Sequence, residues 1–260
     1  MFEFLYQTDL LLTFIMVFFR ISGIVFSAPM FSSQLIPDNV KVAASLVLAV
    51  VVFPNVQSIG LSNIHPLLLI LLITKEILLG IATGMMAQLL FVGVQIGGEL
   101  AGFQMGFSMV NSFDPSMNMQ LSIIAQLKNI AMILFFIALG GHLMVIGAMS
   151  ESFRAVPLGV FTLKAEGFLY ITKMLSASFL TALKIVAPIF VVMLCTHVIM
   201  GIMGRLVPQL NLMIVGFPLQ IAVGLSILSI SLNYFFIVFE KLLHEYFMRV
   251  ATLFYIFGGN

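Results

Sequence analysis

Ionisable side chains occur inside apolar stretches of this sequence, and they are the first residues that could do chemistry. They include Arg20, Lys75, Glu76, Glu99, Lys128 and Lys184. A charge in hydrocarbon is costly unless it is paired or faces a polar cavity or a partner. Structural ion pairing is the favoured interpretation, and a charged path for ions or substrate is the alternative. Lys75 and Glu76 are adjacent, which predicts different partners on different sides of one helix.

Motifs for catalysis or metal binding are not recognisable in the chain. We find no H-E-x-x-H, G-x-S-x-G or Walker A motif and no cluster of Cys and His. The histidines are scattered, and the single cysteine, Cys195, can form no disulfide within the chain. We therefore predict that the chain is not an enzyme and needs no cofactor. Any energy that it uses would come from an ion gradient or from a partner.

The composition is that of an integral membrane protein. Of 260 residues, 62% are hydrophobic and 8% are charged, with a mean hydropathy of +1.20, whereas about a quarter of a soluble domain is charged. The net charge of +1 gives no electrostatic reason to expect a nucleic-acid partner. Glu3 and Asp9 precede the first apolar run, unlike the basic start of a secretory signal, so we expect a retained first helix.

Apolar runs predict the helices that hold these residues, because spanning a bilayer takes roughly 20 apolar residues. The candidate spans are 10–31, 40–56, 66–94, 130–149, 175–204 and 212–239, with a further helix over 95–109 and one long connection at 150–173. Lys and Arg fall on consecutive connections rather than on alternate ones, so the positive-inside rule gives no orientation.

Glycines recur at a spacing of four residues, which lets membrane helices approach closely. The series are Gly80 and Gly84, Gly93 and Gly97, and Gly98, Gly102 and Gly106. Packing within the chain would explain them, but the last series favours tight packing in a crowded assembly. Prolines predict helix breaks at Pro29, Pro37, Pro115, Pro157, Pro188, Pro208 and Pro218. In lipid, broken backbone must be satisfied by neighbouring protein or by a water-filled cavity.

The segment "GFQMGFSMVNSFDPSMNMQ" at 102–120 is too polar for an ordinary span and too apolar for an ordinary loop. Methionines and phenylalanines alternate there with Ser, Asn and Gln, and Asp114-Pro115 favours a break in the backbone. A plain connection between helices is one interpretation of this segment.

Four motifs, in order along the chain, resemble those of the FliR family of the flagellar type III export apparatus, which includes virulence-secretion relatives. They are "FFRISGIVFSAPMFSSQLIPDNVK", "GGELAGFQMGFSMVNSFDP", "GGHLMV" and "GIMGRLVPQLNLMIVGFPLQIAVG". The resemblance implies an all-α export-gate subunit in the membrane, with about six to eight kinked or broken helices. It also implies one domain over 1–260, in which a FliP-like part (about 1–172) is fused to a FliQ-like helical hairpin and tail (about 173–260).

The same resemblance implies partners and a location. FliP-like and FliQ-like subunits would form a helical hetero-oligomer with the chain, in contact with an FlhB-like switch protein, an FlhA-like export component and membrane lipid. Unfolded flagellar proteins would be the substrates. The site would be the bacterial inner membrane at the flagellar basal body, and the proton-motive force and a separate ATPase would supply the energy.

Residue roles also follow from the resemblance. A plug in the lumen of the gate would comprise Met105, Phe107, Met109, Asn111, Phe113, Asp114, Pro115, Met117 and Met119. Gly98, Gly102 and Gly106 would pack against a neighbouring helix, and Arg20 is a candidate partner for Glu99. A cytoplasmic turn that meets the FlhB-like protein would contain Arg205, Pro208, Gln209 and Asn211.

Two other classes of function compete with the export gate. A secondary transporter or channel for a small solute would suit broken helices and buried charges, although Ala28-Pro29 and Ala187-Pro188 are the only echo of a repeat that we find. An intramembrane enzyme is disfavoured by the missing catalytic pair. Mass measurement of what co-purifies after gentle detergent extraction separates these classes.

Overall fold

A computed structural model describes residues 2–29, 31, 36–57, 60, 65–107, 123–162, 164–207 and 212–258. Seven α-helices account for most of these residues. They are α1 (Phe2–Ser27), α2 (Asp38–Val52), α3 (Pro66–Gln104), α4 (Ile123–Ala138), α5 (Gly141–Ala155), α6 (Ala165–Leu206) and α7 (Leu212–Gly258), with a 3-10 turn at Phe53–Asn55. No strand occurs in the described ranges. The predicted all-α class is confirmed.

Five helical stretches are long and apolar enough to cross a membrane. They are Thr8–Ser27, Asp38–Asn55, Pro66–Gln104, Ala165–Leu206 and Ile214–Gly258. A sixth candidate is the pair formed by α4 and α5, which is bent by 65°. The protein is therefore an integral membrane protein with several spans, as its composition predicts.

Three predicted boundaries differ from the structure. The predicted helices 66–94 and 95–109 are not separate, because one helix, α3, continues from Pro66 to Gln104 although it contains several glycines. Conversely, the predicted span 130–149 is divided at Gly140, whose φ of 72° is easily reached only by glycine. The predicted connection at 150–173 is also shorter, because α5 continues to Ala155 and α6 begins at Ala165.

Prolines break the helices at some predicted positions and not at others. Pro29, Pro37 and Pro157 lie outside the helices and next to helix ends. Pro188 lies within α6 and Pro218 within α7, so the breaks predicted there are wrong. A proline removes one N–H, whereas ending the helix would leave several backbone groups unsatisfied in apolar surroundings, so the helix continues. Pro115 and Pro208 lie outside the described residues.

Contacts divide the chain into two compact units. Unit 1 comprises Met1–Leu89, Gly140–Leu175 and His244–Asn260, and unit 2 comprises Leu90–Leu139 and Ser176–Leu243. The predicted division into a FliP-like part and a FliQ-like part stays a prediction.

In unit 1, α1 and α3 approach closely through small residues. A Cβ added to Gly23 would lie 2.7 Å from the carbonyl oxygen of Ile77, and one added to Gly80 would meet the carbonyl oxygen of Arg20. A Cβ at Gly84 would likewise meet Ser27. The glycines at 80 and 84 therefore allow backbone contact inside this chain.

In unit 2, two sides of α3 pack against two different helices. A Cβ on Gly93 would lie 2.8 Å from the carbonyl oxygen of Ser178, and one on Gly97 would lie 3.0 Å from that of Ala182, both in α6. The next residue, Gly98, would place a Cβ 2.7 Å from the Cα of Ala125 in α4. Consecutive glycines therefore serve two different helix neighbours.

Candidate functional site

The predicted plug begins at the C-terminal end of α3, where the backbone forms a Schellman cap. The N–H of Phe107 donates to the carbonyl of Gly102 (3.1 Å), and the N–H of Gly106 donates to that of Phe103 (3.1 Å). Gly106 has a φ of 83°, in the left-handed region that favours glycine. Gly106 therefore caps the helix, and its packing against a partner helix stays a prediction.

Two of the predicted plug residues belong to the core of unit 2. Met105 has no exposed surface and is a member of a cluster with Ala101, Val186, Ile189, Met193 and Leu228. Phe107 is partly buried and packs against the same cluster. Sequence composition alone could not separate these positions from a flexible apolar segment, because Met and Phe suit both. Met105 and Phe107 are thus packed into unit 2 in this chain, and their part in the plug stays a prediction.

Gly224 of α7 makes room for Met105. A Cβ on Gly224 would lie 2.5 Å from the Cγ of Met105 and 2.7 Å from its Cε. Close by, a Cβ on Gly106 would lie 3.1 Å from the Oε1 of Gln220. The end of α3 is thus fixed to one stretch of α7. No local signal in the sequence indicated Gly224, which is an isolated glycine in a long apolar run.

The other predicted plug residues lie outside the described residues. They are Met109, Asn111, Phe113, Asp114, Pro115, Met117 and Met119. The structure describes what flanks this segment. The cap at the end of α3 precedes it, and α4, which begins at Ile123, follows it.

The remaining packing glycines are buried against neighbours in the same chain. Gly98 lies against Ala125, as described above, and Gly102 is buried and accepts the Phe107 N–H with its own carbonyl oxygen. Packing of Gly98 therefore corresponds to the intramolecular alternative. Contact between Gly102 and a partner helix stays a prediction.

Unit 1 contains a fully buried ion pair between α1 and α3. Arg20 and Glu76 both have no exposed surface, and the Arg20 Nε donates a hydrogen bond to the Glu76 Oε2 at a distance of 2.5 Å. Because each residue alone would be an unpaired ion in an apolar interior, the pair is the arrangement that burial requires. The expectation on family grounds that Arg20 pairs with Glu99 is wrong.

This ion pair also holds the end of α5 and the loop after it. The Arg20 Nη1 donates to the carbonyl oxygens of Ser152 (2.9 Å) and Val156 (2.8 Å), where a helix C-terminus attracts a cation. The Glu76 Oε1 accepts a hydrogen bond from the N–H of Gly159 (2.8 Å). We call these groups the Arg20–Glu76 clasp. Its chemistry is structural, the first of the two interpretations given for the buried charges.

The phenyl ring of Phe153 completes the surroundings of the clasp. The guanidinium carbon of Arg20 lies 4.4 Å from the centre of that ring. The α1 and α3 backbones can lie close enough for the clasp because of Gly23 and Gly80. The spacing Gly23–Ser27, two small residues four apart, was a signal that could have located this helix contact.

The other predicted charges are not enclosed by this chain. Lys75 is partly exposed, and Glu99 and Lys184 are exposed. The Glu99 carboxylate accepts a long hydrogen bond of 3.5 Å from Gln95 on the same helix. These three side chains are therefore not buried within the isolated chain, and a partner subunit can reach their positions on α3 and α6.

Lys128 of α4 is different from these three, because it is 3% exposed. None of the ion pairs in the described ranges includes it. Its Nζ lies 5.7 Å from the centre of the Phe235 ring. A cation–π contact is worth about 0.5–2 kcal/mol, whereas burying an ion costs several kcal/mol. The aromatic ring therefore offsets only part of the cost.

The predicted cytoplasmic turn is described only at its first residue. Arg205 is exposed near the end of α6, where the N–H of Val207 still donates to the carbonyl of Met203 (2.9 Å). Pro208, Gln209 and Asn211 lie outside the described residues. Among the described residues, no group of three His, Cys, Asp or Glu side chains lies close enough together to hold a metal ion.

The sequence matches a known protein family over most of its length. A family model described as bacterial export proteins, family 1, matches residues 11–246. Flagellar biosynthetic protein FliR of Escherichia coli strain K12 is 28% identical over 234 residues, which covers 90% of this chain and 89% of that protein. The FliR protein of Aquifex aeolicus is 32% identical, and the match covers 86% of this chain and 86% of that protein. The FliR protein of Bacillus subtilis is also 32% identical, and the match covers 88% of this chain and 90% of that protein.

The resemblance that the four motifs predicted is thus confirmed over nearly the whole chain. The many apolar helices agree with a membrane location, and the relatives are named for flagellar biosynthesis. The chain belongs to the bacterial export proteins, family 1, and is a multi-pass membrane component of the flagellar export apparatus.

Proposed function

We propose that the chain is a core subunit of the flagellar type III export gate in the bacterial inner membrane, at the basal body. It would line the channel that passes unfolded flagellar proteins and would act without catalysis of its own. The observation that carries this proposal is the family match over 11–246, together with FliR relatives that align over about nine-tenths of the chain.

The lengths of α6 and α7 support burial in an assembly. With 42 residues, α6 is about 63 Å long at 1.5 Å per residue, about twice the hydrocarbon thickness of a bilayer. Large apolar side chains are exposed along it, including Phe179, Leu183, Phe190, Leu194, Ile199 and Ile202. Lipid tails could cover about half of that length. FliP-like and FliQ-like subunits in a helical hetero-oligomer would cover the remainder.

The plug is proposed for a shorter segment than the sequence suggested. Because Met105 and Phe107 belong to the core of unit 2, the closing part would begin after Phe107 and include Met109 and Phe113. Apolar side chains in a narrow pore disfavour a continuous water column. The capped end of α3 supports this proposal, since it supplies a fixed attachment for the segment that follows.

The turn after α6 is proposed to meet the FlhB-like switch protein, with an FlhA-like component nearby. Arg205 is exposed there and available to such a partner. A cysteine at Gln209 should crosslink to the FlhB-like chain, and labelling of that cysteine from the periplasmic side alone would contradict the placement.

Co-purification tests the proposed function directly. An affinity-tagged chain, extracted with mild detergent from flagellated cells, should bring FliP-like and FliQ-like subunits in a complex of fixed mass. Deletion of its gene should abolish secretion of flagellar proteins. A chain that is recovered alone or only with itself, and whose loss changes uptake of a small solute, would point instead to a transporter.

A further inference from the structure

Lys128 stands out because it is buried without an acidic partner among the described residues. It is the second residue in a row of buried positions on α4, after Ala125 and before Met132 and Phe136. Two other buried cations among the described residues have an acidic partner: Arg20 is held by a carboxylate and two carbonyls, and Lys41 pairs with Asp38. Within the same ranges, the Lys128 ammonium has only the ring of Phe235. Its counter-charge must therefore come from outside the described part of the chain.

The surface beside Lys128 indicates what supplies that charge. Leu127, Ile130, Leu134 and Ile137 of α4 are 44–60% exposed and form an apolar ridge at helical spacing. Gln126 is also exposed, and Asn129 is partly exposed, so the N-terminal half of α4 is polar next to the ridge. A helix that lay on this ridge would cover apolar side chains along most of its length and polar groups at one end.

From these contacts we infer that α4 is a docking face for a membrane helix of another subunit, which directs an Asp or Glu at the ammonium of Lys128. Charge complementarity is the reason for choosing this occupant: a carboxylate on a slim side chain can enter a position that is 3% exposed. A phospholipid phosphate is bulkier and strongly hydrated, and it suits an open site. The inference rests on the proposed function and adds a partner group to it.

The test begins with Lys128→Met in the tagged full-length chain, produced together with the rest of the export apparatus. Met has a similar length and no charge, so it leaves the core of unit 2 filled while a partner carboxylate loses its counter-ion. We expect the yield of co-purified subunits to fall about tenfold or more, as the loss of a buried ion pair predicts. Lys128→Arg should restore most of the yield. Lys164→Met removes an exposed charge outside the helices and should change nothing.

Selection for motile revertants of the Lys128→Met strain then identifies the partner group. We expect second changes that neutralise an Asp or Glu in a membrane helix of another subunit. Revertants confined to this chain's own acids, such as Glu99, Asp114 or Glu240, would overturn the inference. The inference would also be overturned if the Lys128→Met complex lost bound anionic phospholipid but kept all of its subunits, because a lipid phosphate would then be the counter-charge.

Three further outcomes are decisive. If Lys128→Met lowers the amount of the chain when it is made without its partners, the charge serves this chain's own fold and the inference is wrong. If the unchanged chain captures its partners and Lys128→Met captures them equally well, only the inference fails. If the unchanged chain captures no other subunit, the proposed function fails, and the inference fails with it.

Discussion

Removing one member of the Arg20–Glu76 clasp should destabilise unit 1 severely, whereas removing both should cost much less than the sum. Each side chain is fully buried, and an unpaired ion in that position costs about 3–5 kcal/mol. We therefore expect Arg20→Met and Glu76→Met each to lower the free energy of unfolding by about 3–5 kcal/mol. Methionine fills space adaptably, so cavity formation adds little.

The double variant leaves no buried charge. It still loses the hydrogen bonds to the backbone of Ser152, Val156 and Gly159. A buried polar group without a partner costs about 1–3 kcal/mol, and the Ser152 carbonyl keeps its bond from the N–H of Val156. The double variant should consequently lose about as much as one single variant, which gives a coupling free energy of about 3–5 kcal/mol.

The assay is a double-mutant cycle on the free energy of unfolding, measured by denaturant titration of the purified chain in mixed micelles. Arg154 and Glu151 provide a matched control, because they form an exposed pair at 3.9 Å in the same unit. Arg154→Gln should change stability by less than about 1 kcal/mol. If the clasp variants cost no more than this control, or if the two single effects add, the clasp does not stabilise the fold as argued.

Three further predictions concern the packing glycines and the plug. Gly98→Ala should destabilise the protein by about 1–3 kcal/mol through overpacking, because its Cβ would lie 2.7 Å from the Cα of Ala125. The control Gly147→Ala, whose Cβ would meet nothing within 4 Å, should be neutral or stabilising. Equal melting temperatures for the two variants would contradict this prediction. Gly224→Val should displace Met105 and impair motility, and Met105→Ala should partly restore swimming. Deletion of 111–117 should leave an assembled complex that leaks ions; tight membranes in cells that contain the assembled variant would rule the plug out.

The general architecture could be predicted from the sequence because it depends on local and average properties. Apolar runs of sufficient length specify membrane helices regardless of what they contact. Boundaries were less predictable because they depend on neighbours. A boundary was predicted between 94 and 95, but Gly93, Gly97 and Gly98 lie against α6 and α4, and α3 continues through this region. Gly140 was followed by another glycine, and only its left-handed conformation shows that it divides two helices.

Contacts between distant positions could not be predicted from the sequence. Arg20 and Glu76 are 56 residues apart, and nothing local distinguishes Glu76 from Glu99 as the partner. The adjacent pair Lys75 and Glu76 was more informative, because adjacency on a helix implies different sides. The structure agrees, since Glu76 is fully buried and Lys75 is partly exposed. Composition likewise marked the Met/Phe segment but could not show that Met105 belongs to the core.

The glycines and buried charges of α3 depend on each other. Arg20 can reach Glu76 only where two helix backbones lie close together, and Gly23 and Gly80 permit that approach. At its other end, α3 terminates at Gly106, and Met105 rests on Gly224. A segment that closes a pore needs a fixed attachment, because a helix end that frayed would let the whole segment drift from its position. The capped end of α3 and the closing role proposed for the plug are therefore complementary requirements of a single gate.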